Sequence, residues 1–462
     1  MSLTTNSTTQ NLFFKATEKR KFADVLPEVQ AFISGKYAEL MTDASSSVSF
    51  ENNENKQQIK CYIGKYLLDN RIAVEGFSQA ELVDELYAEM AEFSFLTKYI
   101  FGTGIEEINI NSWDDIEVQY SNGTNVKLAE KFDSPEHAIN IVRRMLHVSG
   151  MVLDNTSPAI LGHLSKNIRI AVLKTPLVDE DVGVAASIRI VNAQKLKKED
   201  FIKSGTATDE MMELLSALVR YGVSMTVAGA TSSGKTTLTG WILTTIPYDK
   251  RILTIESGSR ELDLVVRDSQ GNVLNKVVHT ITRESEDDRK TISQDDLLDM
   301  ALRFHPDYIV VGEMRSSEAD SAQEAARTGH TVITTIHSNS CESTWRRMVT
   351  LCKRKYPNVD DNVILNLVTE AFPIVVYAKQ LENKQRRIME IMECEIKPDG
   401  SRAYHSLYRY KISENRMENG KFIVKGAHEK CEQISESLQR RLLENGMPQN
   451  ELDKILKGGT SE

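Results

Sequence analysis

From about residue 209 onward, short apolar runs alternate with longer stretches whose apolar residues recur every third or fourth position. The runs "VSMTVA", "RILTIE", "DYIVVG" and "TVITTIH" have the length and β-branched content of buried strands. Between them, "DEMMELLSALVRYG", "SQDDLLDMALRF" and "SEADSAQEAART" carry the helical period, and the first has a Thr-Asp start and a Gly stop. Strands alternating with helices predict an α/β fold with a mainly parallel, doubly wound sheet. The stretch "ELDLVV…KVVHTITR" reads as a hairpin inserted in this series.

The pattern differs upstream. Residues 1–95 begin as a polar lead, and "QAELVDELYAEMAEFSFLTKYI" then repeats apolar residues at helical spacing. From 96 to 191, "EEININ", "DIEVQY", "NIRIAVLKT" and "GVAASIRIV" alternate as strands around the amphipathic helix "SPEHAINIVRRML", an α+β unit. The polar stretch 192–208 has the composition of a linker. The α/β core runs over 209–395, and 396–462 is a C-terminal extension with short strands and a charged helix.

Composition narrows the classes. Hydrophobic residues at 40% and charged residues at 26% are ordinary for a soluble globular chain. No run approaches the ~18 apolar residues of a membrane span, and the N-terminus has no apolar h-region, so a cytoplasmic protein is expected. Five scattered cysteines without a C-x-x-C pair argue for reduced thiols and against a zinc site. A net charge of −10 gives no electrostatic case for wrapping nucleic acid. The basic runs "CKRKYP" and "KQRR" read as solvated faces.

The chemistry begins at "GATSSGKTT", Gly229 to Thr237. The pattern G-x-x-x-x-G-K-[ST] between a strand and a helix aims backbone N–H groups at a phosphate, at the positive end of a helix dipole. Gly229 and Gly234 allow the turn, and Ala230, Thr231, Ser232 and Ser233 complete the loop. Lys235 is placed for the β- and γ-phosphates of ATP, and the Thr236 hydroxyl for Mg²⁺. Hydrolysis also needs a carboxylate to position water. Glu313 follows the strand "YIVVG" at the sheet edge where ligands of open α/β sheets sit, with Gly312 where common Walker-B strands carry Asp. Glu256 ends another strand and Glu261 lies five residues on, so one or both approach the water shell of the metal. His337 ends a third strand, within reach of a phosphate or of Glu313. His330 begins that strand and belongs at the opposite edge.

Four segments, "GATSSGKTT", "TIESGSREL", "ALRFHPDYIVVGEMRSSEA" and "TGHTVITTIHSNS", occur in this order. They resemble the Walker A, Asp box, Walker B and His box of the type II/IV secretion ATPase superfamily. Upstream, "IEEININSWDDIEV", "VLDNTSPAILGHL" and "NIRIAV…ASIRI" are similar to the strands and two arginine motifs of that family's N-terminal domain. The resemblance covers about 100–395 and is nearest the TadA/CpaF-like branch, which assembles Flp pili. It implies a RecA-like core and a hexameric ring. It also implies ATP and Mg²⁺ as ligands, Arg169 and Arg189 as γ-phosphate sensors, and membrane platform proteins as partners of a peripheral cytoplasmic motor. Two departures stand out. "LSKNIR" replaces the usual Asp-Gly turn before Arg169, and Ser257 stands where many relatives have Asp. A nucleic-acid translocase with the same core is the alternative, and a small-molecule kinase, which needs an acceptor lid, comes third.

Overall fold

The computed structural model describes residues 19–36, 53–121, 123–147, 150–165, 167–190, 196–258, 260–283 and 288–457. The polar lead before residue 19, Lys166 in the turn before Arg169, and residues 191–195 of the linker lie outside these. The chain divides into two units, Met1–Asn192 and Ala193–Glu462.

In the first unit, β1 (Lys19–Arg20) leads into α1 (Phe22–Lys36), followed by α2 (Asn53–Asp69), β2 (Ala73–Val74) and α3 (Gln79–Ala91). The helices form because their apolar residues fall on one face. Val25, Val29 and Ile33 meet Ile59, Ile63 and Leu67, with Leu82 and Leu86 closing the cluster. Ser78 caps α3 in a reciprocal capping box with Glu81. The helical pattern continues in sequence, but α3 stops at Ala91 and a short helix α4 (Thr97–Ile100) follows. At the break, Arg144 donates to the carbonyls of Glu89 (2.9 Å) and Glu92 (2.6 Å), satisfying helix-end acceptors that would otherwise lack partners.

Arg144 belongs to α5 (Pro135–His147), which lies between β3 (Ile105–Ser112), β4 (Asp115–Tyr120), β5 (Asn125–Lys127) and the later β6 (Ala159–Ser165), β7 (Ile168–Lys174) and β8 (Val184–Ile190). These six strands pair antiparallel in the order β5-β4-β3-β8-β7-β6. One face buries Ile108, Ile110, Val118, Ile170 and Ile188 under Ile141, Val142 and Met145 of α5. Strand alternation sends the neighbouring residues, among them Glu107, Arg169 and Arg189, to the opposite face.

The second unit holds α6 (Lys198–Lys203), α7 (Asp209–Arg220), β9 (Met225–Ala228), α8 (Lys235–Thr244), β10 (Arg251–Glu256) and β11 (Lys276–Ile281). Then come α9 (Gln294–Arg303), β12 (Tyr308–Met314), α10 (Glu318–Arg327), β13 (Thr331–Ile336), α11 (Cys341–Cys352) and α12 (Asp361–Ala371). The chain finishes with β14 (Ile374–Gln380), β15 (Arg386–Ile396), β16 (Arg402–Glu418), β17 (Lys421–Lys430), α13 (Glu436–Glu444) and α14 (Gln449–Lys457). One nine-stranded sheet runs β11-β10-β12-β13-β9-β14-β15-β16-β17, parallel from β11 to β14 and antiparallel beyond.

Both faces of the parallel part are covered, which is why its strands are apolar without alternation. Tyr308 and Val310 pack with α7, α8 and the C-terminal helices, whereas Ile309 and Val311 pack with α9 to α12. The sheet passes through residue 395 without interruption, since β15 spans it and β16 and β17 extend it. Leu438, Leu442 and Leu452 return α13 and α14 to the core.

One local expectation holds only at its tip. β11 pairs parallel with β10 and Glu261–Val266 forms no strand, but an antiparallel bridge joins Arg267 to Val273 and Leu274 N–H donates to the Val266 carbonyl at 2.9 Å. Side chains take the place of a strand partner. Glu256 Oε1 accepts from the N–H groups of Glu261 (2.7 Å) and Leu262 (3.0 Å). Asn275 accepts from Val266 N–H (2.9 Å) and donates to the Leu264 carbonyl (2.8 Å). The segment's apolar residues Leu262 and Leu264 are spent on the core.

His279 of β11 gives this edge a pH dependence. Its Nδ1 lies 2.9 Å from Thr254 Oγ1, and burial, then the Arg260 charge, lowers its pKa from 6.5 to about 4. The unfolded chain therefore takes the proton first, so stability is lost as pH falls from 6.5 toward 4. Urea unfolding at pH 7 and pH 5 should show His279→Gln losing about 1 kcal/mol less than the wild type over this interval, after allowance for solvent screening.

Candidate functional site

The parallel pairing brings four strand ends into register. Ala228 stands opposite Ile336 on one side and Tyr377 on the other, while Val311 stands opposite both Thr334 and Ile255. Gly229 and His337 follow β9 and β13 directly, and Gly312, Glu313 and Glu256 lie at the ends of β12 and β10, so all gather along one edge. His330 precedes β13, at the other edge, as its place in the sequence implies.

Gly229 starts the loop, its N–H donating to the Ile336 carbonyl at 3.2 Å. A Cβ here would collide with the Ala378 carbonyl oxygen and Ser233 Oγ, so only glycine fits. The Ala230 carbonyl gathers Ser233 Oγ (2.8 Å) and Lys235 Nζ (2.9 Å). Thr231, Ser232 and Thr237 are exposed, Thr236 is half-buried, and Ser233 and Lys235 are buried. Gly234, at φ 89°, is the N-cap of α8 and offers no capping side chain. By contrast, Thr208, Ser293, Ser340 and Ser435 each cap a helix of this unit with an oxygen. An uncapped N-terminus at the ligand edge of a parallel sheet, entered through a glycine that no side chain can replace, fits a phosphate group.

Beside this loop, Glu313 is largely buried. Arg315 Nη2 donates to its Oε2 at 2.6 Å, and His337 Nε2 lies 3.0 Å from its Oε1. Burial pushes the Glu313 carboxyl up, but Arg315, His337 and Lys235 outweigh it and hold the group below the usual carboxylate range. Burial and then the Lys235 charge depress His337, so its imidazole is neutral at physiological pH. Lys235, Glu313 and His337, drawn from three separate motifs, thus act on one another electrostatically.

Glu256 is buried. Besides holding the following segment, its side chain fills the space beside Gly312, where a Cβ would stand 3.3 Å from Glu256 Cγ. The glycine at the position of a common Walker-B Asp therefore has a physical reason: a second carboxylate from β10 already occupies that space. Glu261 lies close enough to Arg315 to stabilise its charge. Gln294 joins the two acidic motifs by accepting from Ser257 Oγ (2.9 Å) and donating to the Glu313 carbonyl (3.3 Å).

In the first unit, Arg169 and Arg189 stand directly opposite each other across β7 and β8, with His163 and Glu107 next along the same row. Directly opposed like charges oppose sheet pairing, and the Glu107 carboxylate opposite Arg189 offsets part of that repulsion.

Sequence reasoning missed two contacts. Arg315 clasps Glu313, and Arg386 reaches the loop from β15, its Nε donating to the Ser232 carbonyl at 3.0 Å. The second corrects the reading of "KQRR" as a solvated face, since Arg387 of the same run is only 8% exposed. The basic run "CKRKYP" does face solvent, with Arg354 and Lys355 exposed and making surface contacts to Ser316 Oγ and Asp320.

The family model described as type II/IV secretion system protein matches residues 158–460. The uncharacterized protein MJ0900 of Methanocaldococcus jannaschii is 29% identical over 272 residues, 59% of this chain and 46% of that protein, so the match spans less than half of the relative. The conjugal transfer protein TrbB of Rhizobium radiobacter is 26% identical over 264 residues, covering 57% of this chain and 76% of TrbB. The X-ray structure of the ATPase DotB from Legionella pneumophila aligns with a TM-score of 0.43 at 20% identity, covering 67% of this chain and 77% of that one. With one family model spanning well over half its length, from the start of β6 to the C-terminal helices, the chain belongs to the type II/IV secretion system protein family.

Proposed function

We propose that this protein hydrolyses ATP at the edge formed by β9, β10, β12 and β13, and that it works as a hexameric ring driving a secretion, pilus-assembly or conjugation machine of the TadA/CpaF-like type. The observation that carries the reading is the mutual coupling of Lys235, Glu313 and His337 beside an uncapped helix start.

In this reading the N–H groups at the start of α8 and the Lys235 ammonium hold the phosphates. Thr236 and Glu256 would hold Mg²⁺, an oxygen-seeking ion that needs only one or two protein ligands when phosphates complete its shell, and the ion would supply charge neutralisation at the phosphates. Glu313 is ionised and held below its usual range, which makes it a weak proton acceptor and a good anchor for an attacking water. Phosphoryl transfer through a loose transition state asks mainly for that positioning. Neutral His337 orients Glu313 or donates to the γ-phosphate. Arg169 and Arg189 meet the charge that spreads over the transferred group, and residues 192–208 serve as the hinge through which hydrolysis becomes movement. Platform proteins in the membrane would receive that movement, since no helix among the described residues is long and apolar enough to cross a membrane.

Three measurements test this. Lys235→Ala should abolish tight binding of ATP, whereas Glu313→Gln should bind ATP nearly as the wild type does and lose turnover by at least ~10²-fold. Wild-type turnover in Glu313→Gln removes Glu313 from the chemistry. Arg189→Ala should cut turnover ~10³-fold with little change in ADP affinity, and Arg189→Lys should not restore it, because an ammonium lacks the planar fork. Native mass measurement with a non-hydrolysable ATP analogue should give six chains, and a monomer at full activity contradicts the ring.

A further inference from the structure

The start of β15 touches two places that are far apart in sequence. Arg386 and Arg387 are consecutive on a strand and so point to opposite sides. Arg386 Nε donates to the Ser232 carbonyl at 3.0 Å, and its stem lies against Gly234, where a Cβ would stand 3.1 Å from Arg386 Cδ. Ser232 and Gly234 have φ of 62° and 89°, the left-handed region that an L side chain adopts at a cost. One side chain from β15 therefore braces both of the turned residues at the end of the phosphate loop.

The bracing has a directional consequence. In a planar trans peptide the C=O of Ser232 and the N–H of Ser233 point opposite ways. Holding the carbonyl outward on Arg386 aims that N–H inward. There it makes only a long contact, 3.4 Å, with the Ala230 carbonyl, one that an anion can replace.

Arg387 grips the other place. Its Nη1 donates to the Ser204 carbonyl at 2.9 Å, its Nη2 to Gln385 Oε1 at 2.6 Å, and its guanidinium sits over the Tyr410 ring. Gly205 lies flat against the same guanidinium, where a Cβ would stand 3.4 Å from Cζ. Next along the strand, Ile388 N–H donates to the Thr206 carbonyl at 2.9 Å. Ser204–Thr206 follows α6, within the stretch that leads out of the junction between the two units.

We propose that Arg386 is a positioning residue for the phosphate loop, and that the run Arg386–Ile388 transmits the loop's nucleotide state to the junction segment Ser204–Thr206. This rests on the loop's reading as a nucleotide site. Filling the loop locks the Ser232–Ser233 peptide, Arg386 is held with it, and the next two residues of the same strand hold the junction segment.

The test uses the full chain as wild type, Arg386→Ala, Arg386→Lys and Lys235→Ala. It measures Mg-ADP affinity by calorimetry, ATP turnover, and amide exchange with and without saturating Mg-ADP. Arg386→Ala should weaken ADP binding about ten-fold and raise KM similarly while kcat falls less, and Arg386→Lys should recover part of the affinity because an ammonium still reaches the carbonyl. In the wild type, Mg-ADP should slow exchange at the amides of Thr206 and Ile388. In Arg386→Ala, that slowing should be lost even at saturation, which a merely structural role does not produce. Wild-type ADP affinity in Arg386→Ala, or preserved protection of Thr206 and Ile388, overturns the proposal and leaves the site reading intact. A wild type that binds no Mg-ADP, or Lys235→Ala binding it equally well, overturns the site reading and this proposal with it.

Discussion

The arrangement of the site depends on one constraint: β10, β12, β13 and β9 pair parallel and in register. Parallel strands send all their C-terminal ends to one edge, so a loop, two carboxylates and a histidine that are up to 108 positions apart in the chain emerge side by side. The apolar content of these strands holds the register, because both faces are buried and a slip of one residue would exchange the two core faces. A weaker core on either face would loosen the site before any polar contact was touched.

Electrostatics then sets the condition of the groups so gathered. Glu313 is desolvated, which alone would favour its neutral form, yet the Arg315 hydrogen bond and the Arg315 and Lys235 charges keep it ionised. The site is thus a desolvated anion held by neighbouring cations. Gly312 and Glu256 show the same economy of space, since the absence of one side chain admits the carboxylate of the neighbouring strand.

Much of this was legible in the sequence because its signals are local. The P-loop declares itself within nine residues, and Glu313, Glu256 and His337 follow from where apolar runs end. The arginine row was legible only through family resemblance, for nothing in "NIRIAV" or "ASIRI" says that Arg169 and Arg189 are paired across a ladder. The inserted hairpin is present only as a bridge at its tip, because Glu256 and Asn275 supply hydrogen bonds that the pattern assigns to a strand partner. Arg386 was hidden for another reason. It lies 154 residues from Ser232 and becomes relevant only once β14 and β15 have joined the sheet beside β9. Composition reads charge runs as solvent-facing, and only the topology shows which of them turn inward.

The central claim is that one edge of one parallel sheet is where ATP is held and cleaved. The most direct measurement is an experimental structure of the protein with Mg²⁺ and a non-hydrolysable ATP analogue. The phosphates should lie against the amides of residues 232–236, the metal between Thr236 and Glu256, and Glu313 should face a water beyond the γ-phosphate. Nucleotide bound away from this edge, or Glu313 still clasped by Arg315 and turned from the γ-phosphate, would contradict the claim.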